Sequence, residues 1–419
     1  MTSLSPFDAA AILIVIAAAL GYLNTRVFKL PSSVGLTVMG AVASLLVILV
    51  DQTLPGESLS AIVVGFLEGI DFHTTLMDGM LSFLLFAGAL HVDWTEMRKG
   101  RWPILVLSTL GVLLSTAIVG SGFLLLSSMF GISVPPIWCF VFGALISPTD
   151  PVAVMGVLKR AAVPPTLQAT VAGESLFNDG VGVVVFAILL SAASGAEALS
   201  FGHAATAFLQ EAVGGAFLGL ITGWVAFRAM RSIDDYNVEV MISLAVVMGG
   251  YSLAHWIHVS GPVAMAVAGL LIGNAGVARA MSDLTKDYLL KFWALIDEIL
   301  NAVLFLLIGL EVIAIAPNPQ MLLLGALVIP LVLLARTIAV SIPLIALRPI
   351  LFLGPMARPI LVWGGLRGGI SVALALSLPE STTRTLILAT TYVVVLFAVI
   401  VQGGSVGWLI QRMKANTSN

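Results

Sequence analysis

Apolar runs of membrane-crossing length recur along almost the whole of this 419-residue chain. A helix needs about 20 predominantly apolar residues to cross the hydrocarbon core of a bilayer. About thirteen runs qualify, near 7–27, 31–50, 72–92, 102–130, 135–158, 164–193, 203–231, 236–256, 261–278, 291–316, 319–347, 355–378 and 385–411. The chain is 59% hydrophobic and 10% charged, against about 25% charged in soluble domains, and its mean hydropathy is +1.09. In lipid every backbone polar group must be satisfied internally. The pattern therefore predicts an all-α polytopic membrane protein. The segment 57–70 is shorter and carries Glu57 and Glu68, so it reads as an interfacial helix.

The same composition excludes other classes. A net charge of −3 offers no basic field for nucleic acid. The single cysteine, Cys139, permits neither an internal disulfide nor a cysteine metal cluster. No basic region or cleavage site precedes the first run, so it is expected to be a retained span, and no large soluble domain is expected after the last. Every second loop is basic: Arg26 and Lys29, then Arg98, Lys99 and Arg101, then Lys159 and Arg160, then Arg228 and Arg231. Later loops continue the alternation with Arg279 and Lys286, Arg348 and Arg358, and Arg412 and Lys414. Lysine and arginine mark the cytoplasmic side. The N-terminus is thus expected outside and the C-terminus inside.

Two of the runs are built to break. The fifth contains Pro148 and Pro151 around Thr149 and Asp150, and proline removes an amide donor and clashes with the preceding turn. The twelfth carries Gly364, Gly365, Gly368 and Gly369 around Arg367, and glycine weakens a helix. If runs one to six repeat as eight to thirteen, the two breaks occupy matching positions with opposite orientation. Discontinuous helices five and twelve in inverted repeats of six point to a transporter site between them.

Beside the first break lies Glu174-Ser175-Leu176-Phe177-Asn178-Asp179, inside the sixth run. A charge at mid-depth is unfavourable by roughly 2.5–3.5 kcal/mol on insertion scales, so such residues usually have a task and a partner. With Glu174 at zero, a helix places Asn178 at about 40°, Ser175 at about 100° and Asp179 at about 140°, all on one face. Asp179 lies about 21 Å from the helix start at Pro165, near mid-depth. Oxygen ligands of this kind suit hard cations. A carboxylate taken out of water favours its protonated form. One site can then hold a proton or a cation, each at the expense of the other.

Asp179 is the expected competing ligand, with Glu174 and Ser175 supporting. Alternatives stand beside each role: Asp179 could be an acid paired with Arg367 for assembly alone. Glu174 could simply pair with Arg367, and Ser175 could bond back to its own helix. Asn178 could orient Glu174 one turn back or act as glue between helices. Asp150 is expected to cap or neutralise the ends of the broken helix more than to ligate. Arg367 and Arg336 read as structural counter-ions, the partner of Arg336 not being legible. Asp297, Glu298 and Asn301 either line a cytoplasmic funnel or sit at the interface. His255 and His258 read as interfacial loop residues.

The run Gly143-Ala144-Leu145-Ile146-Ser147-Pro148-Thr149-Asp150-Pro151-Val152-Ala153-Val154 resembles the fifth span of sodium/proton antiporters of the NhaP/NHE type. Gly173-Glu174-Ser175-Leu176-Phe177-Asn178-Asp179-Gly180 is similar to their sixth-span signature. Ser260-Gly261-Pro262, Leu295-Ile296-Asp297-Glu298-Ile299-Leu300-Asn301 and Trp363-Gly364-Gly365-Leu366-Arg367-Gly368 match further signatures. The resemblance covers almost the whole chain. It implies about thirteen helices, a homodimer, and a moving core against a dimerisation scaffold. It implies Asp179 as the essential ion-binding aspartate, with Glu174, Ser175 and the Thr149 backbone carbonyl as supporting ligands. Asn178 and Arg367 would be the pair that interacts with the glutamate. Asn178 in place of a second aspartate resembles the electroneutral branch, with one proton exchanged per sodium. One departure is Phe86-Ala87-Gly88-Ala89-Leu90, where many relatives carry a glutamate after the phenylalanine.

The sequence therefore leads to a secondary antiporter exchanging Na⁺, and by extension Li⁺, for H⁺, with no enzymatic chemistry and no organic cofactor. The expected division is a scaffold of 1–100 and 235–317, a core of 101–197 and 319–413 that moves as an elevator, and a linking helix at 203–231. Membrane lipid and a second copy of the chain are the expected partners, in a prokaryotic inner membrane. A K⁺/H⁺ or mixed-cation antiporter would use the same residue types. A cation channel needs a continuous ringed pore, which buried acids beside broken helices do not provide. An intramembrane hydrolase lacks its motifs: no GxSxG or HExxH occurs.

Overall fold

A computed structural model of the protein describes residues 6–53, 59–68, 80–195, 201–277, 280–314, 319–346 and 353–417. Among these residues every regular element is helical, and the sole strand-like pairing is a bridge between Asp150 and Leu366. The first helices are α1 (Pro6–Leu23), α2 (Ser32–Thr53), α3 (Leu59–Glu68), α4 (Leu81–Leu90) and α5 (Trp94–Lys99). Next come α6 (Arg101–Val106) and α7 (Val112–Met129), joined by a π turn, then α8 (Pro136–Leu145), α9 (Val152–Arg160) and α10 (Pro165–Ala193). The chain continues through α11 (Phe201–Phe208), α12 (Gly214–Met230), α13 (Tyr236–Trp256), α14 (Gly261–Leu271) and α15 (Asp283–Leu310). Last are α16 (Pro319–Ala346), α17 (Ala357–Trp363), α18 (Gly369–Leu376), α19 (Thr382–Phe397) and α20 (Gly404–Thr417).

Among the described residues each predicted apolar run contains helix. Eight helical stretches among the described residues are long and apolar enough to cross a membrane by themselves. Three shorter apolar helices, Leu81–Leu90, Pro136–Leu145 and Gly261–Gly276, accompany them. The segment expected at the interface contains α3, capped by Asp51, whose carboxylate accepts from Leu59 N (2.8 Å) and Ser60 N (2.7 Å); Glu57 lies outside the described residues. The tenth run begins earlier than expected, at Asp283 rather than 291, because Ser282 caps its N-terminus by accepting from Thr285 N. Its first turns carry Lys286, Asp287 and Lys291, which hid that stretch from a reading by hydrophobicity.

Small residues let the helices approach closely. Thr37 Oγ1 on α2 donates to Phe305 O on α15 (3.1 Å), and Ser44 Oγ donates to Leu310 O (2.8 Å). A side chain at Gly309 would press on Gly40 Cα at 3.0 Å. This is the small-residue packing expected of membrane helices. The helix α14 lies between α4 and α12, and α13 packs beside them; α7 lies along α8 and α16, and α16 along α19. A buried aromatic knot joins α4 to α15, with Phe86 and Trp293 ring centroids 4.6 Å apart. The Trp293 indole donates to Ser243 Oγ on α13 (2.9 Å).

The breaks fall where proline and glycine put them. Helix α8 stops at Leu145 and α9 starts at Val152; α17 stops at Trp363 and α18 starts at Gly369. The two unwound stretches cross, and Asp150 N donates to Leu366 O (2.9 Å). That approach needs glycine: a Cβ on Gly368 would sit 2.7 Å from Asp150 Cβ, a separation real side chains do not reach. Chain that leaves helical geometry inside a bilayer survives only when its polar groups find protein or water, and here each break supplies the other.

Candidate functional site

The crossing lies beside a cavity of about 830 Å³ that reaches Asp179. Its rim includes Lys29, Asp93, Glu96 and Lys159, and its inner wall includes Thr149, Asp150, Asp297, Asn301 and Ser371. At the rim, hydrogen bonds from Lys99 and Thr166 hold the Glu96 carboxyl below the usual range. Glu96 therefore stays ionised through neutral pH, beside the cationic Lys29 and Lys159 of the same rim.

Asp179 sits on α10, almost wholly buried, and its Oδ1 has no hydrogen-bond partner among the described residues. A buried carboxylate oxygen without a partner is costly. Ser371 Oγ, in the same wall, is the other buried group there without a partner among the described residues, but it carries no charge. Thr149, in the first break, lines the same cavity. Thr149 Oγ1 is 3.0 Å from Ser175 Oγ and accepts from Asn178 Nδ2 (2.7 Å). Thr149 N donates to Asn178 Oδ1 (3.2 Å). The amide of Asn178 thus occupies both polar groups of Thr149 and leaves the Thr149 carbonyl unconstrained by it.

Two expected contacts are replaced by others, and the partner of Arg336, not legible in the sequence, is found. Asn178 does not orient Glu174; it bonds to Thr149, because the broken helix leaves an amide there without a helical acceptor. Arg367 is not the partner of Glu174. Its Nη1 donates to the carbonyls of Ser147 (2.5 Å) and Pro148 (3.0 Å), so its charge meets the C-terminal end of α8. The partner of Glu174 is Arg336, which grips it with both Nη atoms, at 2.5 and 2.8 Å. Arg336 also donates through Nε (3.1 Å) and Nη2 (2.8 Å) to Leu361 O near the end of α17.

The predicted residues therefore divide. Asp179, Thr149 and Asp150 line the cavity. Ser175 and Asn178 stand behind Thr149, and Glu174 is buried against Arg336. Asp150 Oδ1 accepts from Val152 N (2.8 Å), the first residue of α9. On the opposite wall Asn301 Nδ2 donates to Asp297 Oδ1 (3.0 Å). The sequence reading missed two groups. Thr116 on α7 reaches Ser147 Oγ (3.3 Å), and Gln402 Nε2 donates to Trp363 O at the end of α17 (3.1 Å). Neither stands out in sequence, since hydroxyl and amide residues in apolar helices have many uses.

Comparison with known proteins agrees with this architecture. The family described as "Sodium/hydrogen exchanger, transmembrane" matches residues 13–412. The chain is 46% identical to the Na(+)/H(+) antiporter NhaP of Pseudomonas aeruginosa, over 97% of each chain. It is 35% identical to the Na(+)/H(+) antiporter NhaH of Halobacillus aidingensis, over 93% of each. Its fold is similar to that of the sodium proton antiporter MjNhaP1 from Methanocaldococcus jannaschii, with a TM-score of 0.75, 20% identity and coverage of 97% and 98%. A match along nearly the whole length, with the broken helices and the acidic site in place, makes this chain a member of the transmembrane sodium/hydrogen exchanger family, of the NhaP type.

Proposed function

We propose that the protein is a secondary antiporter that exchanges Na⁺ for H⁺, the two ions competing for Asp179. The observation that carries this reading is the buried, unpartnered Oδ1 of Asp179 at the inner end of a polar cavity. A carboxylate there binds either a proton or a hard cation, and one occupant excludes the other. Thr149 and Ser175 supply further oxygens. Glu174 acts through Arg336 in this conformation and joins the ion only if that pair opens. The antiporters NhaP and NhaH named above support Na⁺ as the substrate, and Li⁺ is close enough in chemistry to replace it.

With the C-terminus inside, the cavity faces the cytoplasm, since its rim carries Lys29, Lys159 and Arg160. The core of 101–197 and 319–413 then moves past the scaffold of 1–100 and 235–317, with 203–231 as the link. The packing of α7, α8, α16 and α19 among themselves, and of α4, α13 and α14 among themselves with the linking α12 laid against α13 and α14, supports that division. The protein works as a homodimer in a prokaryotic inner membrane, carrying one proton per cation; Asn178, in the place of a second aspartate beside Asp179, supports that stoichiometry.

Proteoliposomes holding a pH gradient test the reading. Added Na⁺ dissipates the gradient, and Asp179→Asn lowers that rate at least about 100-fold, the loss expected when the sole ionising ligand of a polar site is neutralised. Wild-type rates in Asp179→Asn overturn the assignment. Dissipation by K⁺ rather than Na⁺ places the chain with potassium exchangers. Rates that change when the voltage is clamped reject the one-for-one stoichiometry.

A further inference from the structure

Downstream of each break an amide side chain reaches back to it. On α10, Asn178 holds Thr149 in the first break. Beyond the second break, Gln402 holds the carbonyl of Trp363, the last residue of α17. Gln402 is buried and lies in a π segment, Ala398–Gly403, between α19 and α20. A π segment adds a residue to the helical register and turns the rest of the helix by about 100°. That turn also brings Ser405 onto α17, where the Trp363 indole donates to Ser405 Oγ (3.0 Å). Trp363 is thus tied to the last helix at both its carbonyl and its ring.

The residues immediately after Trp363 build the crossing. Leu366 O accepts from Asp150 N, and Arg367 donates to the carbonyls of Ser147 and Pro148. Glycines on both sides give that stretch little stiffness of its own. Resting on the exchange reading above, we infer that Gln402 is a positioning residue for ion binding: it fixes the end of α17 and so sets the crossing that presents Thr149 opposite Asp179. The π segment aims it. Gln402 touches neither ion; it acts through Trp363 and the extended chain.

The test uses the full-length protein in proteoliposomes, with apparent KM for Na⁺ and maximal rate measured at one fixed pH. Gln402→Leu keeps the bulk and removes the donor. Its expected effect is a rise of about fivefold to tenfold in KM, the consequence of leaving one buried carbonyl unpaired, with a smaller change in maximal rate. Ser405→Ala releases only the ring and raises KM less. A merely structural role predicts the opposite split: less folded protein with an unchanged KM. A KM within about twofold of wild type in Gln402→Leu, or in both Gln402→Asn and Ser405→Ala should the leucine variant fail to fold, overturns the inference. A cryo-EM structure of the best-folded variant gives a reading independent of which ion is carried. Loss of the Asp150–Leu366 hydrogen bond supports the role, and an intact crossing rejects it even if Na⁺ exchange itself is confirmed.

Discussion

Glu174 and Arg336 pair across 162 residues of chain, with side chains 2% and 8% exposed, too dry for water to share the work. Breaking such a pair by removing one partner leaves an unpaired buried charge and costs about 3–5 kcal/mol, whereas replacing both with apolar groups can be neutral. Arg336→Met should therefore lower thermal stability in detergent steeply, and Glu174→Leu combined with Arg336→Met should recover most of the loss. A double variant no more stable than the single one would show that the two side chains do not act as a unit. Legibility at this scale comes from the same physics. Asp179 stood out because an acid in an apolar run is expensive, whatever surrounds it. The partner of Arg336 did not, because it lies on a distant helix. Asn178 misled because helical spacing puts it next to Glu174, while the stronger demand came from the orphaned amide of Thr149 in the first break.

Between elements, the prolines and glycines that break α8 from α9 and α17 from α18 were legible, since their backbone effects are local. The π segment beside Gln402 was not, because its register is set by packing against α17. Glycine at a helix contact is a case where sequence alone gives the wrong sign. A Cβ on Gly143 would strike the backbone carbonyl of Thr116, whereas one on Gly249 would meet nothing within 4 Å. Gly143→Ala should destabilise by about 1–3 kcal/mol by forcing α7 and α8 apart. Gly249→Ala should stabilise α13 by roughly 0.5–1 kcal/mol through propensity. Melting temperatures of the two variants in one detergent check this pair, and a loss in both would mean that Gly249 faces a contact in the assembled protein.

At the scale of the molecule, exchange requires that the cavity never hold both ions and that the empty, charged site not cross. In the proposed cycle both conditions reduce to the occupancy of Asp179. If Na⁺ binds only the ionised carboxylate, protons compete with it, and linkage is reciprocal. As pH falls through the range where the proton binds, the apparent KM for Na⁺ should rise, approaching about tenfold per pH unit. The maximal rate at saturating Na⁺ should fall less steeply, because excess cation displaces the proton. Neutralising Glu96 at the rim, as in Glu96→Gln, should raise KM modestly without changing that slope, since it alters the local cation concentration and not the competition. Initial rates across a matrix of pH and Na⁺ concentration measure all three quantities. A KM for Na⁺ that stays flat across the working pH range would mean that proton and cation occupy separate sites, and the single-carboxylate exchange cycle would have to be abandoned.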